Sequence, residues 1–119
     1  MLIKKFSKIL PVLALAILLL TGCSNGKMDN SELDSIMSNG NYIIVDVRTK
    51  EEYEEEHIKD AINIPLDEID DSISLDKSKK ILVYCRSGNR SEKAFASLLN
   101  MGYDVYNLGG INDIDLPKE

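Results

Sequence analysis

Residues 81–90 read ILVYCRSGNR, and a helical pattern over 91–101 follows them directly. Four apolar residues without alternation are typical of a strand that is buried on both faces, as in the middle of a parallel sheet. The apolar face of the helix is formed by Ala94, Phe95, Leu98 and Leu99. This stretch therefore predicts a buried strand, a six-residue loop that begins at Cys85, and a helix.

The chain on either side carries further strand patterns. A second apolar run over 42–47 is interrupted only by Asp46, and a short strand over 61–64 ends at Pro65. The last strand begins at Val105 and Tyr106, and we expect the glycine pair 109–110 to break it.

Helical patterns lie between these strands. The first helix is expected to begin at Ser31 and to end at the Asn-Gly pair 39–40, and Thr49 is expected to cap a second helix over 50–56. A third short helix is indicated by Leu66, Ile69 and Ile73. Alternating strands and helices predict one three-layer α/β domain over 31–119, in which helices flank a small central parallel sheet.

The N-terminal residues 1–22 have the pattern of a secretory signal peptide. Three lysines precede an apolar run over 9–20, which is shorter than the ~20 residues of a membrane-spanning helix. The run ends in LTGC at 20–23, which resembles the lipobox of bacterial lipoproteins. This resemblance implies cleavage before Cys23, acylation of Cys23 and a lipidated tether over 23–30. We therefore expect the protein on the extracytoplasmic face of a bacterial cell membrane.

Size and charge exclude several classes of protein. The 119 residues include 14 basic and 20 acidic side chains, a net charge of −6, and loss of 1–22 with its three lysines leaves a net charge of −9. Such a chain is too short for a two-domain enzyme with a cofactor cleft, and its acidity argues against nucleic-acid binding. Cys85 then remains as the single free thiol, which leaves an intermolecular partner or a reactive group.

The loop after the buried strand predicts an activated cysteine. Backbone N–H groups that curl into a helix N-terminus favour an anion, and Arg86 and Arg90 add positive charge. Both effects lower a cysteine pKa below its ordinary value, so a thiolate nucleophile is expected without a metal, a cofactor or a separate base. The plainer alternative is that Cys85 is a small buried apolar residue, but Gly88 and two arginines have no packing reason to follow it.

Three separated blocks resemble the rhodanese-like family. They are DVR at 46–48 with EEY at 51–53 and HIKDAINIP at 57–65, then VYCRSGNRS at 83–91, and GYDVYNLGG at 102–110. The resemblance implies a sulfurtransferase, in which Cys85 forms a persulfide from an anionic donor such as thiosulfate and passes the sulfur to cyanide or a thiol. The substrate-binding loop would consist of Arg86, Ser87, Gly88, Asn89 and Arg90.

The resemblance also concerns residues around the loop. It implies that Asp46 and Arg48 can brace the site, either as a local salt bridge with a structural role or by direct participation in the reaction. The family motif places His57 on a surface turn, so we expect a structural role for it rather than that of a general base. Family members usually carry glycine where this chain has Glu56 and Asp60. The acidic run over 51–56 is predicted to be a solvated helix face, with no metal-ligand spacing.

Two other functions are compatible with parts of the pattern. A tethered binding or sensor module for another envelope protein would need no turnover, although it would also need no activated thiol. Phosphatases and arsenate reductases related to this family have a loop one residue longer, so the six-residue loop favours sulfur transfer.

Overall fold

The structure is a computed structural model that describes residues 28–119. Its strands form one parallel sheet in the order β2-β1-β3-β4. The strands are β1 Tyr42–Asp46, β2 Ile62–Asn63, β3 Lys80–Cys85 and β4 Asp104–Gly110. The predicted signal peptide, Cys23 and the tether up to residue 27 lie outside the described residues.

Helices cover both faces of this sheet. They are α1 Asn30–Asn39, α2 Lys50–Glu55 and α3 Asn89–Asn100, with short 3-10 turns at Leu66–Glu68 and Ile111–Asp113. No helix within residues 28–119 is long and apolar enough to cross a membrane.

Two apolar clusters separated by the sheet form the core. On one face Leu33 and Ile36 of α1 pack with Leu82 and Tyr84 of β3, and on the other Ala94 and Leu98 of α3 pack with Ile81, Val83 and Cys85. Alternate residues of β3 thus enter opposite clusters, and all five are fully buried. The predicted three-layer α/β fold with a central parallel sheet is confirmed.

Several element boundaries differ from the predicted ones. Helix α1 is capped by Asp29, whose carboxylate accepts the Glu32 N–H at 2.9 Å and a hydrogen bond from Ser31, so the cap lies two residues before the predicted one. The predicted helix through Ile73 is only the 3-10 turn at Leu66–Glu68. Strand β4 continues through the glycine pair 109–110, because both residues still pair with β3.

Candidate active site

Cys85 is the last residue of β3, and a tight turn carries the chain from it into α3. Gly88 makes this turn with φ 100° and ψ −11°, a left-handed conformation that favours glycine. The Gly88 N–H therefore points back at the cysteine and donates to Cys85 Sγ at 2.9 Å. Helix α3 begins at Asn89, two residues earlier than predicted, so the last two residues of the six-residue loop already belong to its first turn.

Hydrogen bonds determine the acidity of the Cys85 thiol. The residue is 0% exposed, and this burial raises its pKa. The Ser91 hydroxyl, 3.5 Å from Sγ, and the N–H groups of Ser91, Gly88 and Ser87 oppose burial and bring the pKa below its ordinary value. The thiol is therefore both enclosed and activated.

Ser91 is a site residue that the sequence analysis did not single out. It is fully buried in the first turn of α3, and its hydroxyl donates to the Gly88 carbonyl at 3.1 Å while it lies beside Cys85 Sγ. A small polar residue on the buried face of a helix, six positions after the cysteine, is the signal that could have revealed it. The predicted effect of the arginines is smaller than that of these hydrogen bonds. The charge of Cys85 raises the pKa of Arg90, but it comes after the contacts with Glu52 among the causes.

Both loop arginines bind a glutamate of α2. Arg86 Nε lies 3.1 Å from Glu52 Oε2, while Arg90 donates from Nη1 to Oε1 at 2.7 Å and from Nη2 to Oε2 at 3.1 Å. The hydrogen bond from Arg90, helped by the Thr49 N–H and Arg86, holds the pKa of Glu52 well below its ordinary value against the effect of partial burial. The solvated face predicted for 51–56 is therefore wrong for Glu52, although Glu51, Glu54, Glu55 and Glu56 are exposed.

A capping box aims Glu52 at the loop. Thr49 caps α2 as predicted, since its hydroxyl accepts the Glu52 N–H at 3.2 Å, while the Glu52 carboxylate accepts the Thr49 N–H at 3.0 Å. This reciprocal pair fixes the third residue of α2 and turns its side chain toward the start of the helix. Glu52 thus reaches arginines that lie 34 and 38 residues later in the chain.

Asp46 and Arg48 form a buried ion pair at the end of β1. Arg48 Nη2 lies 2.7 Å from Asp46 Oδ2 and also donates to the Glu56 carbonyl at 2.6 Å, so the pair joins β1 to the end of α2. Asn63 Nδ2 donates to the carbonyls of both Asp46 and Arg48 at 3.0 Å. These contacts form a local salt bridge that joins β1, β2 and α2.

Gly110 supports the loop from the β4 side. A Cβ added there would lie 2.6 Å from the Arg86 carbonyl oxygen and 3.2 Å from Ser87 Cα. Its φ of −90° is open to any residue, so the close approach of two backbones is what requires glycine. The sequence did not indicate this contact.

Two cavities lie on either side of the loop. A cavity of about 390 Å³ on the β4 side is lined by Ser87, Gly88 and Asn89 of the loop together with Glu92 and Asp113. A cavity of about 330 Å³ on the β1 side is lined by Arg48, Arg90 and Asp67, with Thr49 and apolar residues. We call them the carboxylate-side and arginine-side cavities.

His57 lies in a turn beyond this site. Its ring stacks on Tyr53 with centroids 3.9 Å apart, its Nδ1 is 2.8 Å from the Tyr53 carbonyl, and its Nε2 is 3.4 Å from the Glu119 carboxylate. These contacts agree with the structural role predicted for His57. Asp60, in the same turn, has a φ of 70°, a left-handed conformation that favours the glycine expected there from the resemblance.

Known proteins share both the sequence pattern and the fold. The rhodanese-like domain family matches residues 29–115. Thiosulfate sulfurtransferase PspE of Escherichia coli (strain K12) is 45% identical over 78 residues, which are 62% of this chain and 75% of that protein. A solved structure described as rhodanese with anions from E. coli has a TM-score of 0.61 at 43% identity, over 66% of this chain and 96% of that chain. A Lactobacillus plantarum structure has a TM-score of 0.71 at 28% identity, over 89% and 97% of the two chains. The chain belongs to the rhodanese-like domain family.

Proposed function

We propose that the protein is a single-domain sulfurtransferase that carries sulfur on Cys85. The name of its E. coli relative, thiosulfate sulfurtransferase, confirms the enzyme class predicted from the sequence. The observation that carries the proposal is the thiol itself, which accepts the Gly88 N–H at 2.9 Å and has a lowered pKa although it is buried. Only a thiolate attacks sulfane sulfur efficiently, and these hydrogen bonds favour the thiolate.

The proposed reaction has two half-reactions. The Cys85 thiolate attacks the outer sulfur of thiosulfate, a new S–S bond forms at Sγ, and the S–S bond of thiosulfate breaks as sulfite leaves with the electron pair. An acceptor such as cyanide or a thiolate then attacks the outer sulfur of the persulfide, and the Cys85 thiolate is regenerated. The N–H groups of Ser87, Gly88 and Ser91 stabilise negative charge on sulfur in both steps.

Ser91 can serve both protonation states of the thiol. When Cys85 carries its proton, the Ser91 hydroxyl donates to the Gly88 carbonyl at 3.1 Å and accepts from the thiol. When the proton leaves, rotation about the Ser91 side chain turns its hydrogen toward Sγ. The site therefore gains one more donor in the state that reacts.

Intact mass spectrometry tests the reaction. The full chain is incubated with thiosulfate beside Cys85→Ser, and cyanide is then added. We expect the mass of one sulfur on the wild type alone, removed by cyanide as thiocyanate appears. No adduct from thiosulfate or from a polysulfide would favour the alternative, a tethered binding or sensor module for an envelope protein.

We further propose that Cys23 is lipidated and holds the domain on the extracytoplasmic face of the membrane. The support is the LTGC sequence directly after the apolar run. Because the exported part is acidic, acyl chains alone would supply the membrane affinity. Cell fractionation tests this, since Cys23→Ser should move the protein out of the membrane fraction, and unchanged membrane retention would contradict it.

A further inference from the structure

The Glu52 carboxylate binds both arginines of the loop that begins at Cys85. Its two oxygens take three N–H donors, one from Arg86 and two from Arg90, at 2.7–3.1 Å. Its side chain is only 16% exposed, whereas the side chains of Arg86 and Arg90 are 62% and 34% exposed. Both arginines thus reach solvent, while the N–H donors that face the protein are bound to the Glu52 carboxylate.

A small anionic donor needs the same positions. Guanidinium groups bind oxyanions through paired N–H donors, and a carboxylate and the oxygens of thiosulfate both match this geometry. Arg90 lines the arginine-side cavity, and it directly precedes Ser91, whose hydroxyl lies 3.5 Å from Cys85 Sγ. The charge of Cys85 is also among the causes that raise the pKa of Arg90, after its contacts with Glu52. An anion bound by Arg90 would therefore be held by the residue next to one that contacts the thiol.

We infer that Glu52 is an internal competitor for the donor site, and that an anionic donor must displace its carboxylate from Arg86 and Arg90 to reach Cys85. This inference rests on the proposed function. Glu52 thereby sets how strongly the site favours anionic over neutral reagents.

The local structure allows this exchange. When the arginines release Glu52, its carboxylate keeps the Thr49 N–H at 3.0 Å and the Thr49 hydroxyl at 3.2 Å, so it is not left without partners. The capping box does not involve the arginines, so α2 keeps its N-terminal cap. Arg86, exposed and held by one hydrogen bond, is the contact that opens most easily.

A pair of alkylating reagents tests the inference without thiosulfate turnover. Iodoacetate carries a carboxylate and iodoacetamide does not, so the ratio of their rates at Cys85 in the full chain reports access for anions. Glu52→Gln removes the competing charge but keeps a capping-box residue. We expect it to raise the ratio of the iodoacetate rate to the iodoacetamide rate by about two- to tenfold.

Two further variants keep the test decisive. Glu51→Gln removes the same charge from an exposed position on the same helix, and it should leave the ratio near that of the wild type. Glu52→Asp keeps the charge but is too short to hold both arginines, and it should also raise the ratio. An unchanged or lower ratio in both Glu52 variants, or an equal rise in Glu51→Gln, would overturn the inference. Because no sulfur is transferred, this result is separate from failure of the persulfide reaction.

Discussion

The loop that begins at Cys85 is held in different ways on its two sides. On the α2 side, the side chains of Arg86 and Arg90 bind Glu52 through charge-assisted hydrogen bonds. On the β4 side, the backbone of Gly110 lies so close to the Arg86 carbonyl that a Cβ would be 2.6 Å from its oxygen. Another anion can take the place of Glu52 in the ionic contact, whereas nothing can take the place of the backbone contact. We therefore call the α2 side of the loop the replaceable side and the β4 side the fixed side.

The two cavities differ in the same sense. The arginine-side cavity is lined by Arg48 and Arg90 with one acidic residue, Asp67, while the carboxylate-side cavity is lined by Glu92 and Asp113 and by no basic residue of the described part of the chain. Two acidic residues without a basic one disfavour an anion in the carboxylate-side cavity.

The largest effect is expected from the fixed side. Gly110→Ala places a methyl group against the Arg86 carbonyl, so the loop must shift away from its position. We expect a displaced loop to lower kcat/KM for thiosulfate by about a hundredfold, and overpacking to lower the free energy of unfolding by about 1–3 kcal/mol. Steady-state kinetics and denaturant unfolding measure the two quantities.

A second glycine provides the control. Gly102 lies just beyond the C-terminal end of α3, at the opposite end of this helix from the loop, and it has a φ of 94°. A Cβ added there meets only Lys77 Nζ at 3.5 Å. Gly102→Ala should lower the free energy of unfolding by about 1 kcal/mol and leave kcat/KM unchanged. If Gly110→Ala kept full activity, β4 would not be a fixed support for the loop.

On the replaceable side, removal of the arginines should reduce donor use more than stability. Arg90→Ala removes two hydrogen bonds to Glu52 and should lower kcat/KM for thiosulfate by about tenfold. Arg86→Ala removes one exposed contact and should have a smaller effect. Kinetics and thermal melts of both variants provide the measurement. Losses of activity and stability of equal size would show instead that these residues serve the fold.

A substitution at Ser91, which lies beside Cys85 between the two sides of the loop, tests what sets the acidity of the thiol. Ser91→Ala removes a hydrogen bond that lowers the pKa of Cys85, so the pKa should rise and the iodoacetamide rate should reach its plateau at a higher pH. At a pH below the pKa, less of the thiol is then ionised and the iodoacetamide rate falls. Ser97→Ala on the same helix is the matched control. An unchanged pH profile would mean that the backbone N–H groups alone set the acidity.

The smallest effect is expected from a substitution at Asp60, in the strained turn that follows α2. Asp60 adopts a φ of 70° without a glycine, so Asp60→Gly should raise the free energy of unfolding by about 1 kcal/mol. Sulfur transfer should not change, because the Asp60 backbone contacts Glu119 rather than the loop. Asp71→Gly, at an exposed position without a positive φ, should not stabilise the protein. A stabilised but inactive Asp60→Gly would place this turn among the supports of the site.

The sequence predicted the architecture better than it predicted contacts between distant segments. Apolar runs without alternation identified β1 and β3, because burial on both faces leaves that pattern. The glycine pair of β4 was expected to end the strand, because glycine favours turns. The strand instead continues, and only the folded loop shows why a side chain is excluded at Gly110.

The candidate site divides in the same way. Cys85 and Gly88 were identified because a loop between a strand and a helix is a local feature. Glu52 was not identified, because five acidic residues in 51–56 look alike in the sequence. The one that turns inward is determined by the Thr49 cap and by arginines more than thirty residues away.

The position of Cys85 on β3 has a consequence for how the protein acquires its reactive thiol. Strand β3 lies between β1 and β4, and its residue Lys80 pairs with both Tyr42 and Asp104. Parallel pairings between such distant segments form slowly compared with hairpins and isolated helices. A newly made chain therefore passes through a period in which its cysteine is an ordinary exposed thiol, vulnerable to mixed disulfides but not yet activated. Completion of the sheet both encloses the sulfur and gives it its reactivity, so the two properties arise together during folding.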